Sequence, residues 1–114
     1  MSAVLTYIPD LMFSTRVEDA AKHLGLPVRA VSSVEQAPAL FDQMPDSLLV
    51  VSLDAPDWAR VVESAKRSGA RVIAYGSHQD GAALQAARAA GCDRVVVRSR
   101  FAAELAALLE KYAG

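Results

Sequence analysis

One cysteine, Cys92, stands in a chain of 114 residues. A lone thiol forms no intramolecular disulfide and supplies no paired-cysteine metal site, which fits a reducing compartment, so the expected location is the cytoplasm. Neither sign of charge is in excess: 12 Lys+Arg stand against 13 Asp+Glu, a formal charge of -1. Without a basic field, nucleic acid and anionic membranes are not expected as partners. No apolar run approaches the roughly 18 residues of a membrane-spanning helix, and Met1 to Pro9 lacks the basic-then-apolar order of a secretion signal. Glycine is sparse, six in all, and none falls in Ile8-Pro9-Asp10-Leu11-Met12, where a phosphate-cradling loop would follow the first strand. Nucleotide binding in its usual form is therefore not expected. His23 and His78 are too isolated to be metal ligands, so neither a metal nor a cofactor is expected.

Apolar side chains, by contrast, make up 53% of the chain, enough for one buried core. They fall into five short runs, each followed by a helical pattern, the signature of βα units building a parallel sheet covered on both faces. The runs are Ala3–Ile8, Val28–Val31, Ser47–Leu53, Val72–Tyr75 and Val95–Val97, the third being the most apolar and the expected centre of the sheet. Phe13, Val17, Ala20, Ala21 and Leu24 share one face of the first helix, which Asp10 is placed to cap. Ser32-Ser33-Val34-Glu35 reads as a capping box opening the second helix. Pro38 inside that pattern requires the helix to be short, kinked or late. Trp58, Val61, Val62 and Ala65 form the third stripe, with Trp58 expected to anchor it to the sheet. Six alanines mark the fourth helix, from about Asp80 to Ala90, after the loop Gly76-Ser77-His78-Gln79. Phe101, Leu105, Leu108, Leu109 and Tyr112 line the last. No linker or repeat interrupts residues 1–114, which read as a single domain with no room for an output domain.

A (βα)₅ chain of this length is expected to be doubly wound and flavodoxin-like, with strand order 2-1-3-4-5 and a site outside the carboxyl ends of strands one and three. In rhythm, and in the stretches Met44 to Asp57 and Ala87 to Arg98 with Phe101 to Leu105, the sequence resembles the CheY-like receiver domains of two-component response regulators. The resemblance implies a phosphoacceptor aspartate after the third strand, two acids holding a divalent cation after the first, a hydroxyl residue after the fourth and a lysine after the fifth. Together these neutralise charge during phosphoryl transfer. Here the acceptor aligns with Ser52, which has no carboxylate nucleophile. The acid pair aligns with Ile8-Pro9, leaving Asp10 one place on. The hydroxyl residue aligns with Gly76, beside Ser77, and the lysine aligns with Arg98. The lysine-proline-phenylalanine run becomes Arg98-Ser99-Arg100-Phe101, and the aromatic of the fifth strand aligns with Val95.

A chain so altered is expected to be a degenerate pseudo-receiver: not an enzyme, not phosphorylated at the usual site, and acting through its surface on a protein partner or a second copy of itself. The expected face, formed by the fourth helix, fifth strand and fifth helix, carries Arg88, Arg94 and Glu104 and suits a two-fold dimer. Ser52 is expected to bond its own loop rather than act as a nucleophile, because no Gly-x-Ser-x-Gly elbow surrounds it. Asp54 precedes an Ala-Pro turn, and Arg98 is expected to pair with Asp10 or Asp54 or to be solvated. Cys92, beside Gly91, is expected to be a small turn residue without a redox role. The alternative is a sensor of small anions or nucleotides, using a crevice lined by Pro9, Ser52, Gly76, Ser77 and Arg98.

Overall fold

In the computed structural model, which describes residues 2–113, each apolar run is a strand and each periodic segment a helix. The strands are β1 (Val4–Tyr7), β2 (Val28–Ala30), β3 (Leu48–Ser52), β4 (Arg71–Gly76) and β5 (Arg94–Val97). The helices are α1 (Leu11–His23), α2 (Ala37–Gln43), α3 (Trp58–Arg67), α4 (Gly81–Ala89) and α5 (Arg98–Ala113). All strand pairs are parallel, in the order β2-β1-β3-β4-β5, the flavodoxin-like arrangement that the alternation requires. β3 sits in the middle with all five residues buried. One face of the sheet packs on α2, α3 and α4 through Phe41, Val61, Val62, Leu84 and Ala87. The other packs on α1 and α5 through Val17, Ala21, Phe101, Leu105 and Leu109. The chain reverses its winding between β1 and β3, so the loops after those strands part and leave a crevice at their carboxyl ends.

Several helix starts follow from local chemistry. Asp10 caps α1, its Oδ1 accepting from the Met12 amide at 2.8 Å, and Asp80 caps α4 by accepting from the Ala83 amide at 3.1 Å. α2 starts late, at Ala37, which places Pro38 in the first turn where a missing N–H costs no hydrogen bond. The capping box expected over residues 32–35 does not open the helix, because the residue before the helix is Gln36, which makes no side-chain capping bond. Ser33 Oγ accepts from the Gln36 amide at 3.1 Å, and Gln36 Oε1 accepts from the Ser32 amide at 2.8 Å. These bonds brace the turn that leads into the helix, and Glu35 takes no part in them. Trp58 is half-buried against the α2–α3–α4 side of the core, the anchoring place expected for it. α5 begins directly after β5, so Arg98-Ser99-Arg100 is helical, and a non-helical residue at Glu104 (φ -111°, ψ 15°) breaks the helix into two segments.

Asp57, at the start of α3, has φ 54° and ψ 34°, the left-handed conformation, and its side chain makes no capping bond. That conformation crowds Cβ against the carbonyl oxygen and is disfavoured for any residue with a side chain. Asp57→Gly is therefore expected to stabilise the fold by up to about 1 kcal/mol, as measured by the urea midpoint. An unchanged or lower midpoint would show that the aspartate compensates for its backbone.

Candidate functional site

The crevice is built from the ends of β1, β3, β4 and β5, and apolar packing fills its middle. Ser52 closes β3 at 3% exposure, and its Oγ accepts from the Asp54 amide at 3.2 Å. The hydroxyl is thus occupied in bonding its own loop, as expected. Leu53 follows at 7% exposure and lies over Gly76, the last residue of β4. A Cβ added to Gly76 would stand 3.1 Å from Leu53 Cδ1 and 3.2 Å from its Cβ, tighter than an ordinary contact, so any larger residue would require this leucine to shift by a few tenths of an ångström. The sequence placed Gly76 in a loop, whereas it is a paired strand residue opposite Val97.

Charge is arranged around this apolar plug. Arg98, at the head of α5, reaches across to the loop after β3, where its Nη2 donates to Asp54 Oδ2 at 2.6 Å. The two side chains are 40% and 60% exposed, so the pair is worth at most about 1 kcal/mol, and its main effect is geometric. It spans the crevice and fixes a cation beside the acid that stands nearest Ser52. On the β1 side, the Tyr7 hydroxyl donates to the Pro56 carbonyl at 2.6 Å and ties the end of β1 to the same loop.

On the opposite, α1–α5 face of the sheet lies an aromatic stack. Tyr75 and Phe101 are parallel within 7° at a centroid distance of 4.4 Å, and Phe13 stands 5.3 Å from Tyr75. The Tyr75 hydroxyl is buried without a hydrogen-bond partner among the described residues. Burial pushes its pKa up to about 12. The nearby Ser52 hydroxyl and Arg98 pull it down, while Asp10 and Asp54 push it up.

These residues do not fit a divalent cation. Asp10 is engaged as a helix cap, Asp54 is paired with a guanidinium, Ser52 is neutral, and Leu53 and Gly76 add no oxygen donor. No group of three or more His, Cys, Asp or Glu side chains able to hold a metal ion occurs among the described residues.

Of the crevice residues read from the sequence, Ser77 and Arg98 share a cleft of about 440 Å³ with Phe13, His78, Val97 and Ala102. Pro9 lines a separate cleft of about 290 Å³ with Tyr7, Val31 and Pro56, and Ser52 and Gly76 line neither. The residues expected to line a single crevice are therefore not gathered in one cleft. Arg88 is exposed on α4 and Arg94 is half-buried at the start of β5. Glu104 Oε2 is taken up by Arg100 Nε at 2.7 Å. Sequence reasoning missed Leu53 against Gly76 on one face of the sheet and the Tyr75–Phe101 stack on the other. The alternation Ile73, Tyr75 against Val72, Ala74, Gly76 carried the signal, since it places Tyr75 on the α5 side and Gly76 opposite.

Cys92 is half-buried, and burial pushes its thiol up to about 11, with Lys66 lowering and Asp93 raising it. The nucleophilic thiolate is correspondingly scarce at neutral pH. Alkylation by iodoacetamide at pH 8 is expected to be more than about tenfold slower in the folded chain than in urea, by mass spectrometry. Equal rates would remove the burial argument.

No protein-family model matches the chain, and no curated protein matches its sequence. Solved structures do match its fold. An orphan response regulator of Helicobacter pylori superposes with a TM-score of 0.78 at 19% identity, covering 99% of this chain and 97% of that one. A response regulator receiver domain protein from Clostridium thermocellum gives 0.80 at 14% identity, over 99% and 94%. The chemotaxis response regulator CheY4 of Vibrio cholerae gives 0.78 at 14% identity, over 98% of each chain. With the strand order and the two-faced helix packing, these likenesses show that the chain has the CheY-like fold of response-regulator receiver domains.

Proposed function

We propose that the protein is a pseudo-receiver, a non-enzymatic module of signal transduction that works through protein contacts and takes no phosphoryl group at the usual position. The observation that carries this reading is the plug: a Cβ at Gly76 would stand 3.1 Å from Leu53 Cδ1, a tight contact that a hydroxyl residue there would have to push aside, and the neighbouring buried Ser52 has no carboxylate. The Arg98–Asp54 pair supports it, because a guanidinium held there at 2.6 Å opposes a cation at the same acid. Self-association through α4, β5 and the adjoining part of α5 is part of the proposal. α4 offers small exposed side chains with Arg88 at the rim, a surface that lets two helices approach closely. No helix among the described residues is long and apolar enough to cross a membrane, and a cytoplasmic site of action is proposed with this role.

Sedimentation of the purified chain up to tens of micromolar tests the self-association, since roughly micromolar affinity is enough to populate a dimer there. A concentration-dependent dimer, weakened by Arg88→Glu, is expected. A strictly monomeric species with no Arg88 dependence would count against this face.

A further inference from the structure

The two parts of α5 are unequally anchored. Glu104, with its non-helical backbone, interrupts the helical hydrogen-bond ladder between a head, residues 98–103, and a body, residues 105–113. The body buries Leu105, Leu108, Leu109 and Ala113, whereas the head buries only Phe101. A head of less than two turns is too short to hold its helical form alone, so it depends on what fastens it to the rest of the molecule. The fastenings are a ring contact and two ion pairs. Phe101 lies on the Tyr75 ring at 4.4 Å. Arg98 Nη2 reaches Asp54 Oδ2 at 2.6 Å and ties the head to the loop after β3. Arg100 Nε holds Glu104 Oε2 at 2.7 Å, a bond from the head onto the residue at the break itself. Every side chain in these two pairs is at least 40% exposed, so salt weakens the pairs and leaves the apolar anchorage of the body untouched.

We propose that the head of α5 is a latch hinged at Glu104, which opens as a unit and without the body when the Arg98–Asp54 and Arg100–Glu104 pairs are screened or removed. Opening lifts Phe101 from Tyr75 and frees the Asp54 carboxylate together, so one local step uncovers the Tyr75 ring and unties the loop after β3. The latch stands on the fold alone, and its failure leaves the pseudo-receiver reading as it is. Native-state hydrogen exchange of the ¹⁵N-labelled chain tests it, read as protection factors at about 0.05 M and about 0.5 M sodium chloride, between which the screening length shortens about threefold. The amides of Ala102 to Glu104 are expected to be at least about tenfold less protected than those of Leu108 and Leu109. They should lose a further factor of about three to five in the higher salt, in Asp54→Ala and in Arg100→Gln, with Leu108 and Leu109 unchanged. Arg100→Gln leaves the pair at the crevice intact and Asp54→Ala leaves the pair at the hinge intact, so agreement between the variants separates the latch from damage at either end. Equal protection along α5 would overturn the hinge. A weakly protected head that is indifferent to salt and to both variants is only a frayed helix start, and a loss that spreads to Leu108 and Leu109 means that α5 opens as one piece. Either result would overturn the latch.

Discussion

Phe101→Ala is expected to destabilise the fold by about 3–5 kcal/mol, a large part of the roughly 5–15 kcal/mol available to a domain of this size. Phe101 is fully buried, lies parallel to Tyr75 at 4.4 Å and stands 6.3 Å from Phe13, so truncation removes its burial and opens the stack joining α1, β4 and α5. Lost packing accounts for most of that cost. Tyr75→Phe separates packing from polarity, because it keeps the ring and removes a buried hydroxyl that makes no well-formed hydrogen bond among the described residues and has only the Ser52 hydroxyl interacting with it. That change is expected to be neutral or to stabilise by about 1 kcal/mol, since an unsatisfied buried hydroxyl costs about that much or more. Loss of stability in Tyr75→Phe would mean that the hydroxyl is bonded after all.

The same hydroxyl makes a pH-dependent contribution whose sign is fixed. Its pKa is about 12 in the folded chain against 10.0 for a free tyrosine, so between these values the folded state holds a proton that the unfolded state has released. Stability is therefore fully present below pH 10 and falls as the pH rises from 10 toward 12. Urea unfolding of wild type and Tyr75→Phe across this window should show the wild type losing more.

Gly76→Thr carries the second large effect. The new Cβ meets Leu53 at 3.1 Å, and the branched side chain beyond it needs space that Leu53 fills, an overpacking worth about 1–3 kcal/mol. Leu53→Ala alone is expected to cost about 2–5 kcal/mol through the cavity it leaves. Combined, the two changes should cost less than their sum by about 0.5–3 kcal/mol, because each relieves the other's defect. Strict additivity would show that Leu53 and Gly76 do not constrain one another and would remove the physical basis of the plug.

The sheet order and the core were legible in the sequence because five apolar runs and five helical stripes leave one economical way to bury them. Val61, Val62 and Ala65, or Phe101, Leu105 and Leu109, needed no tertiary information to be placed. The pairing of Arg98 with Asp54 was one of a few options and was decided by the reach of α5 across the crevice. Less legible were contacts set by interlocking shapes. Nothing local to Gly76 announces that Leu53, far earlier in the chain, will lie against its α-carbon. The left-handed Asp57 is hidden too, since its sequence neighbourhood does not announce it; it follows Pro56, whose carbonyl accepts from the Tyr7 hydroxyl. The capping box expected at α2 did not form because the late helix start that accommodates Pro38 leaves Ser32, Ser33 and Glu35 in the turn before the helix, where Gln36 bonds Ser32 instead.

On the proposed pseudo-receiver reading, the chain keeps its mass when a small phosphoryl donor and a divalent cation are supplied. Intact-mass spectrometry of the purified chain after incubation with acetyl phosphate and magnesium reads this outcome. The expected result is an unchanged mass, with no adduct at Asp54, Asp10 or Ser52. A stoichiometric gain of one phosphoryl group that maps to any of these three residues would show instead that the crevice is open.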